Sequence, residues 1–418
     1  MVPVPSRGAW AVFLSALSVR VGYALWLDRP AALVGDAFEY HEFARNLVET
    51  GRYLGPHGEA ASRMPGYPLF LAGLRLFFGG SLHEVIIVQC VVGALTCLLL
   101  YQLARLLLPG RWPLVCGLFS AFYFDMIVPS AFLLSECVYS FFLVFSIWAL
   151  YQPDWRPLHR ALAFGALSGC LYLVRPEPLP YILMTILLLP YLWAKGFGRK
   201  QVLSALAVFT LITGLWVGRN LVQFSRVIPA SSVGQNVKYL SLLLPAEQLG
   251  LAPEGRYAAP RALSELEREA DMARAYRELA GRLSWPQIFK AYLYNLASIL
   301  YPFLPAYDWT YVVLLPFFLL GLCEAARRKE LRPMAAAVLC SISVFIFFGG
   351  PASRYRQGIS PFIVLLATGG MAAVETAVGR PRFRAWMGSW VVVNLNVWLF
   401  SAQMRESALW VKRGLWRH

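Results

Sequence analysis

Residues 85–108 read VIIVQCVVGALTCLLLYQLARLLL, a run whose only charge is Arg105. Coiled as a helix at about 1.5 Å per residue, such a run matches the roughly 30 Å hydrocarbon core of a bilayer. The pattern recurs outward from it. Leu133–Tyr151, Leu179–Ala194, Val202–Val217, Val312–Cys323, Met334–Phe348 and Ile359–Val378 are each long enough, or nearly so, to cross. Leu114–Phe124 and Ala161–Val174 are shorter, but their basic and Pro-containing flanks mark them as membrane helices too. Ala9–Leu27 carries Arg20 late in the run and lacks a small-residue cleavage site, so it reads as a first anchor and not as a removed signal peptide. Trp386–Phe400 is either one more span or a surface helix, and the basic tail Lys412–His418 changes sides accordingly. The fold class expected is all-α and polytopic, with about 11 transmembrane helices.

Composition agrees. Of 418 residues, 58% are hydrophobic and 15% charged, against about 25% charged in soluble chains. The net charge of +15 suggests nucleic acid only until its distribution is read. Arg105 and Arg111, then Arg156 and Arg160, then Lys195, Arg199 and Lys200 fall in alternate short loops. Arg327, Arg328, Lys329 and Arg332 continue the series, as do Arg380, Arg382 and Arg384. Basic clusters in every second loop place those loops and the N-terminus in the cytoplasm. The excess is topology, and no nucleic-acid partner is implied. Seven cysteines, all in apolar blocks and without ligand spacing, exclude a disulfide framework.

With that orientation two long segments lie outside, at about 28–82 and 219–286, within a single membrane-embedded domain covering 1–418. The shorter stretches Arg175–Pro180 and Gly349–Gly358 share that face. Asp36–Thr50, closed by Gly51, has an apolar stripe of Tyr40, Phe43 and Leu47, the pattern of an amphipathic helix at the membrane surface. Pro260–Leu283 sets Leu263, Leu266, Ala270, Ala273, Tyr276 and Leu279 among dense charge and reads as a second one.

The chemistry must come from polar residues at the outer face. Asp36 and Glu39 stand at the start of the first surface helix. The spacing fits a capping box, with Asp36 as N-cap and Glu39 reaching back, and this is the favoured reading. Partial desolvation at the boundary also suits a general base, and the two roles are compatible. Arg63 and Tyr67 flank the rigid Pro65-Gly66 turn; Arg63 is either a bidentate phosphate contact or a headgroup-seeking interfacial arginine. Glu136 opens an apolar block and needs a partner; Arg175 and Glu177 are the obvious ones, and neutralisation and substrate contact are equally open. Asp125 is a weaker member of that group. Arg219, Arg354 and Arg356 add outer-face arginines that topology does not explain, and a lipid phosphate suits their depth. His41 and His57 share the loop with the two acids and leave a divalent metal open, although the spacing matches no familiar ligand set and a surface histidine is the plainer reading. There is no Walker loop, dinucleotide fingerprint or nucleophile elbow.

Taken together, Gly35-Asp36 through Tyr40, then Ala44, then Pro65-Gly66-Tyr67-Pro68-Leu69-Phe70-Leu71-Ala72 resemble the first periplasmic loop of bacterial family 39-type glycosyltransferases. These belong to the GT-C superfamily, with the dolichyl-phosphate-mannose protein mannosyltransferases and the lipid A aminoarabinose transferases. Leu134-Ser135-Glu136, Arg175-Pro176-Glu177, Trp216 with Arg219-Asn220, and Arg354-Tyr355-Arg356 before Pro361 follow in the same order, so the resemblance runs from about Gly35 to Ala367. It implies a helical bundle in the cell (inner) membrane whose surface helices cover a cavity on the periplasmic face. It implies transfer of a sugar, with inversion, from a polyprenyl-phosphate donor to an extracytoplasmic glycan, lipid or protein acceptor. The family's first-loop acid maps onto Asp36, as general base or as a group positioning acceptor or metal, and its donor-phosphate contact maps onto Arg63. Many relatives carry adjacent acids or an acid-x-acid pair. Here the second acid is Glu39, three residues on, which bears on metal dependence more than on the base.

Two other classes use similar architecture. A transporter or flippase of lipid-linked sugars needs polar residues along a path through the bundle, whereas the charges here gather at one face. A polysaccharide polymerase or ligase also has a large arginine-rich outer loop, but an acidic first loop suits it less well.

Overall fold

The computed structural model describes residues 6–27, 35–189, 197–252, 257–260, 262–301, 308–350 and 353–400. The expected basic residue Lys195, the end of the 179–194 block and the Lys412–His418 tail lie outside them. Among the described residues there is helix and no strand. In chain order the helices are α1 Arg7–Trp26, α2 Asp36–Thr50, α3 Gly66–Phe78, α4 Leu82–Leu107, α5 Trp112–Phe122, α6 Phe124–Ala131, α7 Glu136–Leu150, α8 Pro157–Val174 and α9 Leu179–Leu187. There follow α10 Arg199–Phe224, α11 Gly234–Gln248, α12 Glu265–Arg282, α13 Trp285–Leu300, α14 Trp309–Arg327, α15 Arg332–Phe348, α16 Ser360–Val378 and α17 Arg380–Leu399.

Seven helices among the described residues are long and apolar enough to cross a membrane, and eight if α5 and α6 form one bent span. This is an integral membrane protein. The count falls short of about 11 for local reasons. The chain turns by 46° between α5 and α6, where Tyr123 adopts an extended backbone. The apolar helix α7 has only 15 residues, and the described part of the 179–194 block holds only α9, Leu179–Leu187. The ambiguous C-terminal stretch is helical from Arg380, six residues before its apolar part begins.

The chain divides into two compact units. One comprises Met1–Ala230, Pro316–Cys340 and Gln357–Val374; the other comprises Ser231–Leu315, Ser341–Arg356 and Glu375–His418. In the first unit α4 packs against α1, α5, α6 and α7, while α8 packs against α7 and α10. Small residues let these backbones approach. A Cβ on Gly165 would lie 2.4 Å from the Ala205 carbonyl oxygen, and one on Gly117 would lie 2.6 Å from a Val12 methyl. Helices α2 and α3 form a hairpin beside this bundle, with α3 packed against α4 and α8. A Cβ on Gly66 would meet backbone atoms of Leu173 and Val174 at 2.6 Å, so the turn into α3 sits directly on the end of α8.

In the second unit α11 packs against α12 and α13. Leu242 and Ala246 meet Leu283 and Ala291, while Tyr239 and Leu243 meet Met272. The expected amphipathic helix begins at Glu265 under a capping box from Ser264 to Glu267. Its buried side runs through Asp271 and Met272 with Ala275, Tyr276 and Leu279 packed beside it, and Ala270 faces outward.

Candidate functional site

Helix α2 starts after Gly35, whose φ of 55° lies in the left-handed region, and stops at Gly51 with φ 69° and its N–H on the Leu47 carbonyl. Asp36 is therefore the first helical residue and not the cap, and no side chain caps the helix. The capping-box reading fails because a stronger partner claims both acids. Arg63 donates from Nη2 to Asp36 Oδ1 at 2.6 Å and from Nε to Glu39 Oε2 at 2.7 Å. Asp36 and Glu39 lie one helical turn apart on the same face, which suits a planar guanidinium fork. About a third of each carboxylate side chain remains exposed, 33% and 35%.

Arg63 also lies over the Tyr40 ring, 5.3 Å from its centroid. Burial lowers the proton affinity of its guanidinium, but Tyr40, Glu39 and Asp36 raise it further, so it stays charged. Tyr40 is buried, and its hydroxyl donates to Ser135 Oγ at 3.4 Å. Burial raises the phenol above its ordinary value and the two arginines Arg63 and Arg175 only partly offset this, so it remains protonated. Its ring meets the Tyr67 ring edge-on at 4.9 Å. Tyr67, fully buried, donates to Gln89 Oε1 at 2.6 Å, and Gln89 Nε2 holds the Phe132 carbonyl at 2.8 Å. Tyr67 thus fixes α3 to α4 and supports Tyr40.

Behind Ser135 lies the second charged group. Arg175 pairs with Glu136 at 2.9 Å and with Glu177 at 2.7 Å. Glu136 is buried, with 1% of its side chain exposed, while Arg175 and Glu177 keep 15% and 17%. Tyr40 feels the charges of Arg63, Arg175, Asp36 and Glu136 together, so one tyrosine stands between both groups. Each arginine holds two carboxylates.

Arg219 belongs to the same unit but does a different task. Its Nη1 donates to the Ala60 carbonyl at 2.7 Å and to Asn220 Oδ1 at 2.9 Å, and its guanidinium lies over the Tyr53 and Trp216 rings. Tyr53 in turn donates to the Arg63 carbonyl at 3.0 Å. Arg219 therefore ties α10 to the loop that carries Arg63.

In the second unit Arg356 is buried, with 4% of its side chain exposed. It donates to the Ile299 carbonyl at 3.2 Å and to Asp308 Oδ2 at 3.3 Å, and stacks 3.7 Å from the centroid of Tyr311. Arg354 lies in the preceding part of the same 3-10 turn, Ser353–Ile359, half-buried.

The sequence places Tyr40 in an apolar stripe and Ser135 in a short motif without a role for either, and gives no sign of Gln89, because a buried tyrosine, serine or glutamine in an apolar segment carries no signal without its neighbours. Asp125 accepts from the Tyr123 hydroxyl at 3.0 Å. Among the described residues no group of three or more His, Cys, Asp or Glu could hold a metal ion. His41 is half-buried, which lowers its pKa, and His57 is exposed.

Similarity to solved structures shows a GT-C-like fold. The chain is similar to ArnT from Cupriavidus metallidurans in the apo state, at 14% identity and TM-score 0.51, over 91% of this chain and 60% of that one. It is also similar to the oligosaccharyltransferase of Archaeoglobus fulgidus tethered to an acceptor peptide, at 14% identity and TM-score 0.50, over 88% of this chain and 50% of that one. The chain thus spans 60% and 50% of those two structures. No family model and no curated protein matches it.

Proposed function

We propose that this protein is an inverting glycosyltransferase that moves a sugar from a polyprenyl-phosphate donor to an extracytoplasmic acceptor, at the periplasmic face of the inner membrane. The observation that carries the reading is the Asp36–Arg63–Glu39 group: two partly exposed carboxylates and a guanidinium within one hydrogen-bonded fork. Glycosyl transfer needs a base for the incoming hydroxyl or amine and positive charge for the departing phosphate, and this group offers both.

Asp36 takes the proton as the acceptor oxygen or nitrogen bonds to the anomeric carbon from the face opposite the leaving group. The bond from that carbon to the phosphate oxygen breaks, and the lipid phosphate leaves with the electron pair. No separate acid is required, because a phosphate is already a good leaving group. Arg63 spends Nε and one Nη2 hydrogen on the acids, and a guanidinium has five N–H donors. Its Nη1 side is the donor for the phosphate oxygen. Glu39 holds the guanidinium in plane. The Glu136–Arg175–Glu177 group, with Tyr40 and Tyr67, forms the rear wall that fixes α2. The GT-C fold shared with ArnT and with an oligosaccharyltransferase supports the reaction class.

The test is transfer by the purified protein from a panel of radiolabelled polyprenyl-phosphate sugars. Asp36→Asn is expected to lower turnover by about 10²-fold or more while leaving membrane expression unchanged. Wild-type turnover from that variant removes Asp36 from the mechanism. Accumulation of lipid-linked sugar in vesicles without bond cleavage would favour a flippase instead.

A further inference from the structure

Arg20 sits on α1, the first membrane-spanning helix, and its side chain is fully buried. Nη1 donates to the Ala16 and Ala121 carbonyls at 3.1 and 3.3 Å, and Nη2 donates to the Met126 carbonyl at 2.9 Å and Cys97 Sγ at 3.3 Å. All four acceptors are neutral. Nε has no hydrogen-bond partner among the described residues. A guanidinium taken out of water in this way is costly unless an anion compensates it.

The space beside Nε is shaped for this side chain. A Cβ on Gly93 of α4 would lie 2.6 Å from Arg20 Nε and 2.6 Å from Ser130 Oγ. Next to it is a chamber of about 10 Å³, lined by Arg20, Gly93, Asp125, Glu136 and Ser140 among others, with room for about one water molecule. The chamber therefore joins the buried arginine to Glu136, whose carboxylate also meets Arg175. Arg175 is shared by two carboxylates, Glu136 and Glu177, and Glu136 is the more buried of the two.

We propose that Arg20 is the second counter-ion of Glu136, acting across this chamber through a bridging water. Glu136 is then clamped between Arg175 on one side and Arg20 on the other. Arg20 is a positioning residue, since it touches neither donor nor acceptor. Only its link to catalysis rests on the function proposed above; the charge coupling stands without it.

A double-mutant cycle on the full-length protein in detergent tests this, read by Tm and needing no substrate. Arg20→Gln and Glu136→Gln each lower Tm, because the first removes one of the two cations at Glu136 and the second removes the anion that Arg20 faces. The double variant is expected to lose less than the sum of the two, recovering more than half of the Arg20→Gln loss. Arg20→Lys, which keeps the charge, is expected to lose less than Arg20→Gln. If Arg20→Gln does not accumulate, Gly93→Ala takes its place in the cycle, since its methyl displaces the guanidinium. Additive losses overturn the proposal, as does Arg20→Lys behaving like Arg20→Gln. Non-additivity with Asp125→Asn in place of Glu136→Gln overturns it too, by assigning the counter-ion to the other acid.

Discussion

At the scale of single residues, Asp36 and Glu39 show how far local pattern reaches. An acid followed by a second acid three residues later at a helix start is the signature of a cap, and the residue types were legible. What reassigns them is Arg63, 24 and 27 positions away, whose approach depends on the hairpin of α2 and α3. No local rule contains that distance. The family resemblance gives Asp36 and Arg63 separate roles in one reaction but not their contact. The consequence is a kinetic split between two neighbours. Arg63→Ala is expected to raise donor KM by about tenfold or more, equivalent to about 1.4 kcal/mol of lost charge-assisted contact. Asp36→Asn acts on kcat. Arg63→Lys keeps the charge but loses the fork, so donor affinity falls by a smaller factor while the acids lose their fixed spacing. Titrating donor against initial rate for the three variants separates the effects. Equal KM in Arg63→Ala and wild type leaves the phosphate contact unsupported.

At the scale of elements, the site is assembled where α2, α3 and α7 begin and α8 ends, and the contact that brings α3 to α8 is glycine against backbone. Gly66 stands 2.6 Å, measured from where its Cβ would be, from the Leu173 carbonyl carbon and the Val174 nitrogen, immediately before Arg175. Backbone cannot yield as a flexible side-chain tip does. Gly66→Ala should therefore lift α3 from α8, at a cost of about 1–3 kcal/mol, and widen the separation of the Arg63 and Arg175 groups that Tyr40 now bridges. The measurement is Tm together with transfer rate: a large loss of rate with a modest fall in Tm is expected. A variant with unchanged Tm and rate would show that the close approach is not needed. The sequence reads Pro65-Gly66 as a rigid turn, and in the structure Pro65 is the N-cap and Gly66 the first residue of α3. The sequence does not show what the glycine faces. The same holds for Gly321 and Gly370, whose Cβ atoms would lie 2.0 and 2.1 Å from carbonyl oxygens of Leu366 and Phe317 on the reciprocal helix. Long apolar runs give helices and hide the crossings, because every face of such a run is apolar.

At the scale of the whole molecule, hydrophobic block length suffices for the membrane and for an all-helical fold, and the asymmetry of charge is the basis for the orientation proposed above. Basic residues gather at loops such as Arg327 to Arg332, while the paired acids and arginines lie at other loops. Positive-inside statistics predict that the first set is cytoplasmic. The donor reading then requires Asp36 outside. Two exposed positions report this directly: His57, in the loop that carries Arg63, and Glu330, in the basic turn Lys329–Leu331. Each is changed to cysteine in a Cys323→Ser background, because Cys323 is the exposed cysteine among the seven. A membrane-impermeant maleimide applied to intact spheroplasts should label His57→Cys fully and Glu330→Cys only after permeabilisation. Arg277→Cys, exposed on α12, is expected to follow His57→Cys, since the second long segment is read as lying outside with the first. Labelling of Glu330→Cys from outside would reverse the orientation and put Asp36 in the cytoplasm, where an extracytoplasmic acceptor could not reach it. Labelling of His57→Cys but not Arg277→Cys would leave the loop that carries Arg63 outside and exclude the second loop from the acceptor's side. The charge pattern, which composition alone would have assigned to nucleic acid, is thereby converted into a statement about which water compartment holds the chemistry.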